Sequence, residues 1–292
     1  MSEENKKMST DCKSIFETII KRNTSEAVFQ WLREKSFQST PSSFYLAFAS
    51  VPRKTGKTEL IIESEDVIKL QNALPGFSIT GFTIDRLARI WLLMHLEIND
   101  KKKYIDKIEN LFGVAEMKES VALYSALPFF AFPDEWKARC SEGIRSNIGT
   151  VLEAIMYHNP YPAKYLDETA WNQLVMKAFF TDKDVSKITG IDKRQNKNLA
   201  ATVFDYIRER WAAKRTANPQ LWRLVGKYID KSNFNLVEQL FKDGDIINKK
   251  AALLACADSS YEPAKIFLEK KTQGKMDILN EGLNWNTLTN EV

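Results

Sequence analysis

Along most of the chain apolar residues return every three or four positions, the spacing that lines one face of an α-helix. Between Ser14 and Glu34 the set Ile15, Phe16, Ile19, Ile20, Val28, Phe29 and Leu32 keeps this spacing, with a break expected at residues 23–25. Thr40 followed by Pro41 reads as an N-cap and a first-turn proline, opening a helix through Phe44, Leu46 and Phe48. Those three also alternate, which keeps a strand open there. Ile84, Leu87, Ala88, Trp91, Leu92 and Leu96 form the next long stripe. Tyr104, Ile105, Ile108, Leu111 and Phe112 form another, with Gly113 as its stop. Further helices are expected through Val121–Leu127, after Pro133, and on both sides of residues 159–162. Leu199–Trp211, the run after Asn218-Pro219, and the segments NLVEQLF, KKAALLACA and EPAKIFLEK complete the series.

Short helices joined by short loops are the pattern of antiparallel helix pairs. No fixed-period repeat is legible. The expected fold is therefore all-α: an irregular α-solenoid of antiparallel helical hairpins, HEAT- or armadillo-like, with room for a short β element near residues 44–63. The expected division is a disordered tail at 1–12, a helical domain at 13–232, and hairpins at 233–292 that continue the array.

Composition narrows the classes. The formal charge of +4 is too small to imply nucleic acid by itself. No apolar run approaches the roughly 20 residues of a membrane span. The opening MSEENKKMSTDCKS lacks the apolar core of a signal peptide. Cys12, Cys140 and Cys256 are odd in number and far apart, which points to a reducing cytoplasm rather than a disulfide framework or zinc site. With His95 and His158 the only histidines, no metal and no cofactor is expected. Gly56-Lys57-Thr58 has the ending of a phosphate-binding loop, but the opening glycine of that motif would stand at Val51. A solvated basic loop is the better reading.

The densest chemistry lies between Arg139 and Lys177. Arg139, Glu142 and Arg145 fall at i, i+3 and i+6. They form either an arginine site for an anion or a plain surface ladder. Asn147 follows them. Glu153 opposes the apolar face of its helix and is solvated by default, and His158 stands at the end of that helix as a cap. In Asn159-Pro160-Tyr161-Pro162 the prolines stiffen an extended turn and fix Asn159 and Tyr161. Asn172 borders a buried stripe and needs partners, which a ligand or a neighbouring loop would supply equally well. Lys177 lies further along. Downstream, Lys193, Arg194, Lys197, Arg208, Arg210, Lys214, Arg215, Arg223 and Lys227 face only Asp205 and Glu209. This excess suits phosphate, an acidic protein or an anionic membrane surface. Nucleic acid is disfavoured because no recognition module accompanies it. The candidate ligand-binding set is thus Arg139, Glu142, Arg145, Asn147, Glu153, Asn159, Tyr161, Asn172, Lys177 and Arg210, and no catalytic set is identified.

Several stretches carry a family resemblance: Pro52-Arg53, RLAR (Arg86 to Arg89), LYSALP (Leu123 to Pro128), EGIRSN (Glu142 to Asn147), EAI (Glu153 to Ile155), NPYPA (Asn159 to Ala163), DETAWNQ (Asp167 to Gln173), ERWAA (Glu209 to Ala213) and LWR (Leu221 to Arg223). Together they resemble the EboA family over roughly Phe44 to Tyr228. Arg208 stands where the family pattern suggests histidine, and Lys214 where it suggests glycine. The resemblance implies a bacterial, cytoplasmic protein from a gene cluster for traffic of a small prenyl-type metabolite. It assigns no reaction. The function expected on these grounds is a non-catalytic helical scaffold or binding protein. Its partners would be a small metabolite or other proteins of the cluster, with no membrane span and peripheral association left open. The alternative is an enzyme using Glu142, Glu153, His158 or Lys177 on an isoprenoid-like or phosphorylated substrate.

Overall fold

The computed structural model describes residues 3–37, 40–272 and 282–289, and the chain divides into two compact units, residues 1–171 and 172–292. Every regular element among the described residues is a helix, with no strand among them. In the first unit α1 (Glu3–Asn23) and α2 (Glu26–Ser36) are separated at the expected break, where the Ser25 hydroxyl accepts from the Val28 amide. α1 begins at Glu3, inside the stretch expected to be a disordered tail. Phe16, Ile19 and Ile20 are fully buried, and they anchor the C-terminal half of this helix.

α3 (Pro41–Thr55) settles the ambiguity at Phe44. Thr40 caps it, and Phe44, Ala47, Phe48 and Val51 are buried at helical spacing. Leu46, which a strand would have buried with its two neighbours, is 71% exposed. Replacing Leu46 with glutamate should shift stability by no more than about 0.5 kcal/mol. Phe44→Ala should cost about 3 to 5 kcal/mol, and urea denaturation of the two variants checks the contrast. The β element expected near residues 44–63 reduces to one bridge, Glu59 with Thr83, because helix occupies the residues up to Thr55.

α4 (Ser64–Ala73) precedes α5 (Ile84–Leu93), the centre of the first unit. Nine of its ten residues, all but Arg86, are buried, and Ile84, Leu87, Ala88, Ile90 and Leu92 are at 0% exposure, so the helix is covered on nearly every side. α1, α2, α3 and α7 (Met117–Ser125) pack around it. A solenoid stacks each hairpin on its sequence neighbours alone. Here the helices wrap about one buried helix, and the expected hairpin array is not confirmed. α6 (Lys101–Val114) runs through Gly113, which was expected to end it. α8 (Lys137–Arg145), α9 (Gly149–Met156) and α10 (Tyr161–Tyr165) follow, and α11 (Glu168–Phe180) contains the boundary.

In the second unit α12 (Lys197–Ala212) is capped by Asn196. The run after Asn218-Pro219 forms 3-10 turns, Pro219–Leu224 and Gly226–Tyr228, instead of an α-helix. α13 (Phe234–Asp243), α14 (Ile246–Ala257), α15 (Glu262–Thr272) and α16 (Trp285–Thr289) complete it. α14 is the hub: residues Ala251 to Cys256 are buried, and α13, α15, α16 and both 3-10 turns pack against it. The hairpins beyond residue 232 thus pack through α14 on the turns that hold Leu221 and Trp222.

Candidate functional site

In the first unit α3 and α7 both pack on α5 and leave a groove between them, completed by the end of α6. Its volume is about 980 Å³. The floor is held by Arg89, 3% exposed on α5. Its Nε donates to the Phe48 carbonyl of α3 at 3.1 Å, Nη1 to Asp85 of α5 at 3.1 Å, and Nη2 to Glu119 of α7 at 3.5 Å. Burial lowers the guanidinium pKa from its ordinary value, against the pull of Glu119, Asp85 and Glu116. One planar cation with five donors thus ties three helices together. Glu119 also accepts from the Glu116 amide at 3.1 Å in a capping box, so the start of α7 is locked to the same network.

The walls are apolar and open. Leu46 on α3, Val114 on α6 and Met117 on α7 are 71%, 73% and 51% exposed and line the groove with Phe48 and Leu111. Arg53, Lys57 and Lys118 stand exposed along it, with Glu116 beside them. Two stretches that carry the family resemblance, Pro52-Arg53 and Arg89 of RLAR, meet here. Gly56 ends α3 at φ 79°. In a phosphate-binding loop this segment would open a helix instead. The groove escaped sequence reasoning because its residues come from separate helices; exposed Leu46 in an otherwise buried stripe was the available signal.

The residues chosen from sequence go elsewhere. Arg139 pairs with Glu109 of α6 and, at 2.7 Å, with Glu142, and its guanidinium lies 4.9 Å from the Phe112 ring centre. The Glu109 hydrogen bond is the largest cause raising its pKa. This joins α8 to α6. Arg145 and Asn147 are exposed at and just beyond the end of α8. Within EGIRSN, Gly143 is a packing residue: a Cβ there would lie 2.5 Å from Ile155 Cδ1 and from the Tyr124 ring.

Asn159 is 1% exposed. Its amide donates to the carbonyls of Ala154 at 2.9 Å and Tyr124 at 3.2 Å, and accepts from the Tyr161 amide at 3.0 Å. The Tyr161 hydroxyl donates to the Pro133 carbonyl at 2.6 Å. The prolines open a helical turn, with Pro160 at φ −76°, ψ −10° as cap and Pro162 in the first turn of α10. The expected extended turn is therefore helical, as first-turn prolines allow. His158 has φ 49° and its carbonyl accepts from Ser78.

Glu153 is half-buried rather than solvated, and its charge acts on Arg86. Arg86 donates to Ser125 Oγ from Nε at 3.0 Å and Nη2 at 2.7 Å and lies 3.5 Å over the Phe82 ring. Burial lowers its pKa to about 10, while Glu153 and Asp85 pull it up. Both arginines of RLAR are thus structural cations in the first unit.

In the second unit Asn172 exchanges hydrogen bonds with Asn196 at 3.1 and 2.8 Å, and Asn196 caps α12. Lys177 is half-buried, and Arg210 donates to the Thr216 carbonyl at 2.8 Å. The basic excess is partly consumed: Arg223, 4% exposed, grips Asp192 with two bonds of 2.6 Å, and Arg208 pairs with Asp205 at 2.9 Å.

The three cysteines are buried and free. Burial, with Asp11 beside Cys12 and Glu238 beside Cys256, pushes those two thiols up to about 12, and burial raises Cys140 as well. At pH 8 a thiol with a pKa of about 12 is thiolate in roughly one molecule in ten thousand, too little for reaction in the folded state. Titration with a disulfide reagent should find all three unreactive until denaturant is added. Among the described residues no group of three or more His, Cys, Asp or Glu is placed to hold a metal, and no helix is long and apolar enough to cross a membrane.

No curated protein and no solved structure matches the chain. A family model does, over residues 12–226, and its description is metabolite traffic protein EboA. That span includes the groove and all ten candidate residues, and it exceeds half of the chain: the protein belongs to the EboA family.

Proposed function

We propose that this protein is a non-catalytic helical binding protein or scaffold in bacterial metabolite traffic, and that the α3–α6–α7 groove is where it holds a small metabolite. The groove carries the reading. Its volume of about 980 Å³ lies at the upper end of the range for small-molecule sites, roughly 300 to 1,000 Å³. Exposed Leu46, Val114 and Met117 offer an apolar contact that costs free energy to leave in water. The cation network beneath them keeps three helices in place without the ligand, so the site is preorganised. A prenyl-type chain, as the family resemblance implies, suits such walls. Glu142, Arg145 and Asn147 at the end of α8 are proposed as contacts for a partner protein of the same pathway. The protein should be purified under mild conditions from a bacterium that carries its gene cluster. Native mass spectrometry should then detect a bound small molecule, and capture with the neighbouring cluster proteins should recover a partner. Finding neither would contradict the proposal.

A further inference from the structure

Resting on the groove as the binding site, we infer that its ligand is an amphiphile with an anionic head, seated with the head at the basic rim and the chain across the apolar walls. The charge layout orients it. At the floor, Arg89 already faces two carboxylates, Asp85 and Glu119, so an incoming anion would meet them beside a cation that is already paired. An anionic head placed there would meet repulsion in a poorly screened setting. At the rim the balance reverses: Arg53, Lys57 and Lys118 face only Glu116 among the groove's acidic residues outside the floor network. None of the three makes an ion pair among the described residues. Their side chains come from the end of α3, the loop after it and the start of α7, on either side of one opening. Exposed Leu46, two turns before Arg53 on α3, lines the same groove together with exposed Val114 and Met117. A concave site suits one amphiphile better than a bilayer, which needs a convex or flat apolar surface.

Calorimetry on the full protein tests this with decyl phosphate, decanol and inorganic phosphate, each below the concentration at which it aggregates. Decyl phosphate should bind at least tenfold more tightly than decanol, and inorganic phosphate should give no signal at the same concentration. The double variant Arg53→Glu, Lys57→Glu should abolish the tenfold preference, and Leu46→Glu should weaken both decyl compounds. Lys54→Glu, on the same helix but stacked near Trp31 and outside the groove, should change neither. Equal binding of decyl phosphate and decanol would overturn the anionic head and leave the groove reading standing. Binding of neither, or binding indifferent to Leu46→Glu, would overturn both. Sedimentation with phosphatidylglycerol vesicles that excess decyl phosphate does not compete would assign the surface to a membrane and overturn the inference.

Discussion

Replacing Arg89 with methionine is expected to lower the unfolding free energy by about 3 to 5 kcal/mol, the cost of breaking a buried ion pair from one side. Methionine keeps much of the aliphatic stem, so the loss is not mainly one of packing. What remains is Asp85, 2% exposed, and Glu119, largely buried, with their shared cation removed. The Phe48 carbonyl loses its donor at the same time. Adding Asp85→Asn and Glu119→Gln to the methionine variant should recover part of the stability, because neutral amides do not repel one another. Chemical denaturation of the single and triple variants measures this. A loss below about 1 kcal/mol for Arg89→Met would show that water already screens the network.

Asn159→Ala is expected to cost about 3 kcal/mol. The side chain is buried and serves two carbonyls and one amide, and each stranded backbone group costs roughly 1 to 3 kcal/mol. Asn159→Asp should be no better. It keeps the acceptor for the Tyr161 amide but turns a carboxylate oxygen towards the Ala154 and Tyr124 carbonyls. Raising the pH from 4 to 7 should therefore make the aspartate variant less stable relative to the parent, since the carboxylate is charged at the higher pH. A ligand-contacting asparagine would behave differently, with stability near the parent's and binding lost.

These two residues show what sequence pattern reaches. Helices fixed by local rules were legible: Thr40, read as an N-cap before Pro41, accepts from the Ser43 amide. Asn159 was legible as a fixed polar residue, but its partner Tyr124 lies 35 residues back on α7, so its structural role was not. Arg89 was hidden more deeply. Asp85 is one turn back on α5, but the other two acceptors stand 41 and 30 residues away in the chain, at Phe48 and Glu119, and no periodicity within α5 signals either. Gly113 misled because glycine also occurs inside helices, and α6 gains enough burial from Tyr104, Ile108 and Leu111 to run through it. The groove is a product of how α3 and α7 sit on α5, a long-range relation.

The most direct measurement is a methyl NMR titration of the whole protein, labelled at Met, Leu and Val, with decanol and with decyl phosphate. Using both compounds separates the groove from the nature of the head group. If the groove is the binding site, the methyls of Leu46, Val114 and Met117 shift first and most, while buried Met156 and Leu253, outside it, hold their positions. Largest shifts outside the groove, or no shift with either compound, would contradict the account.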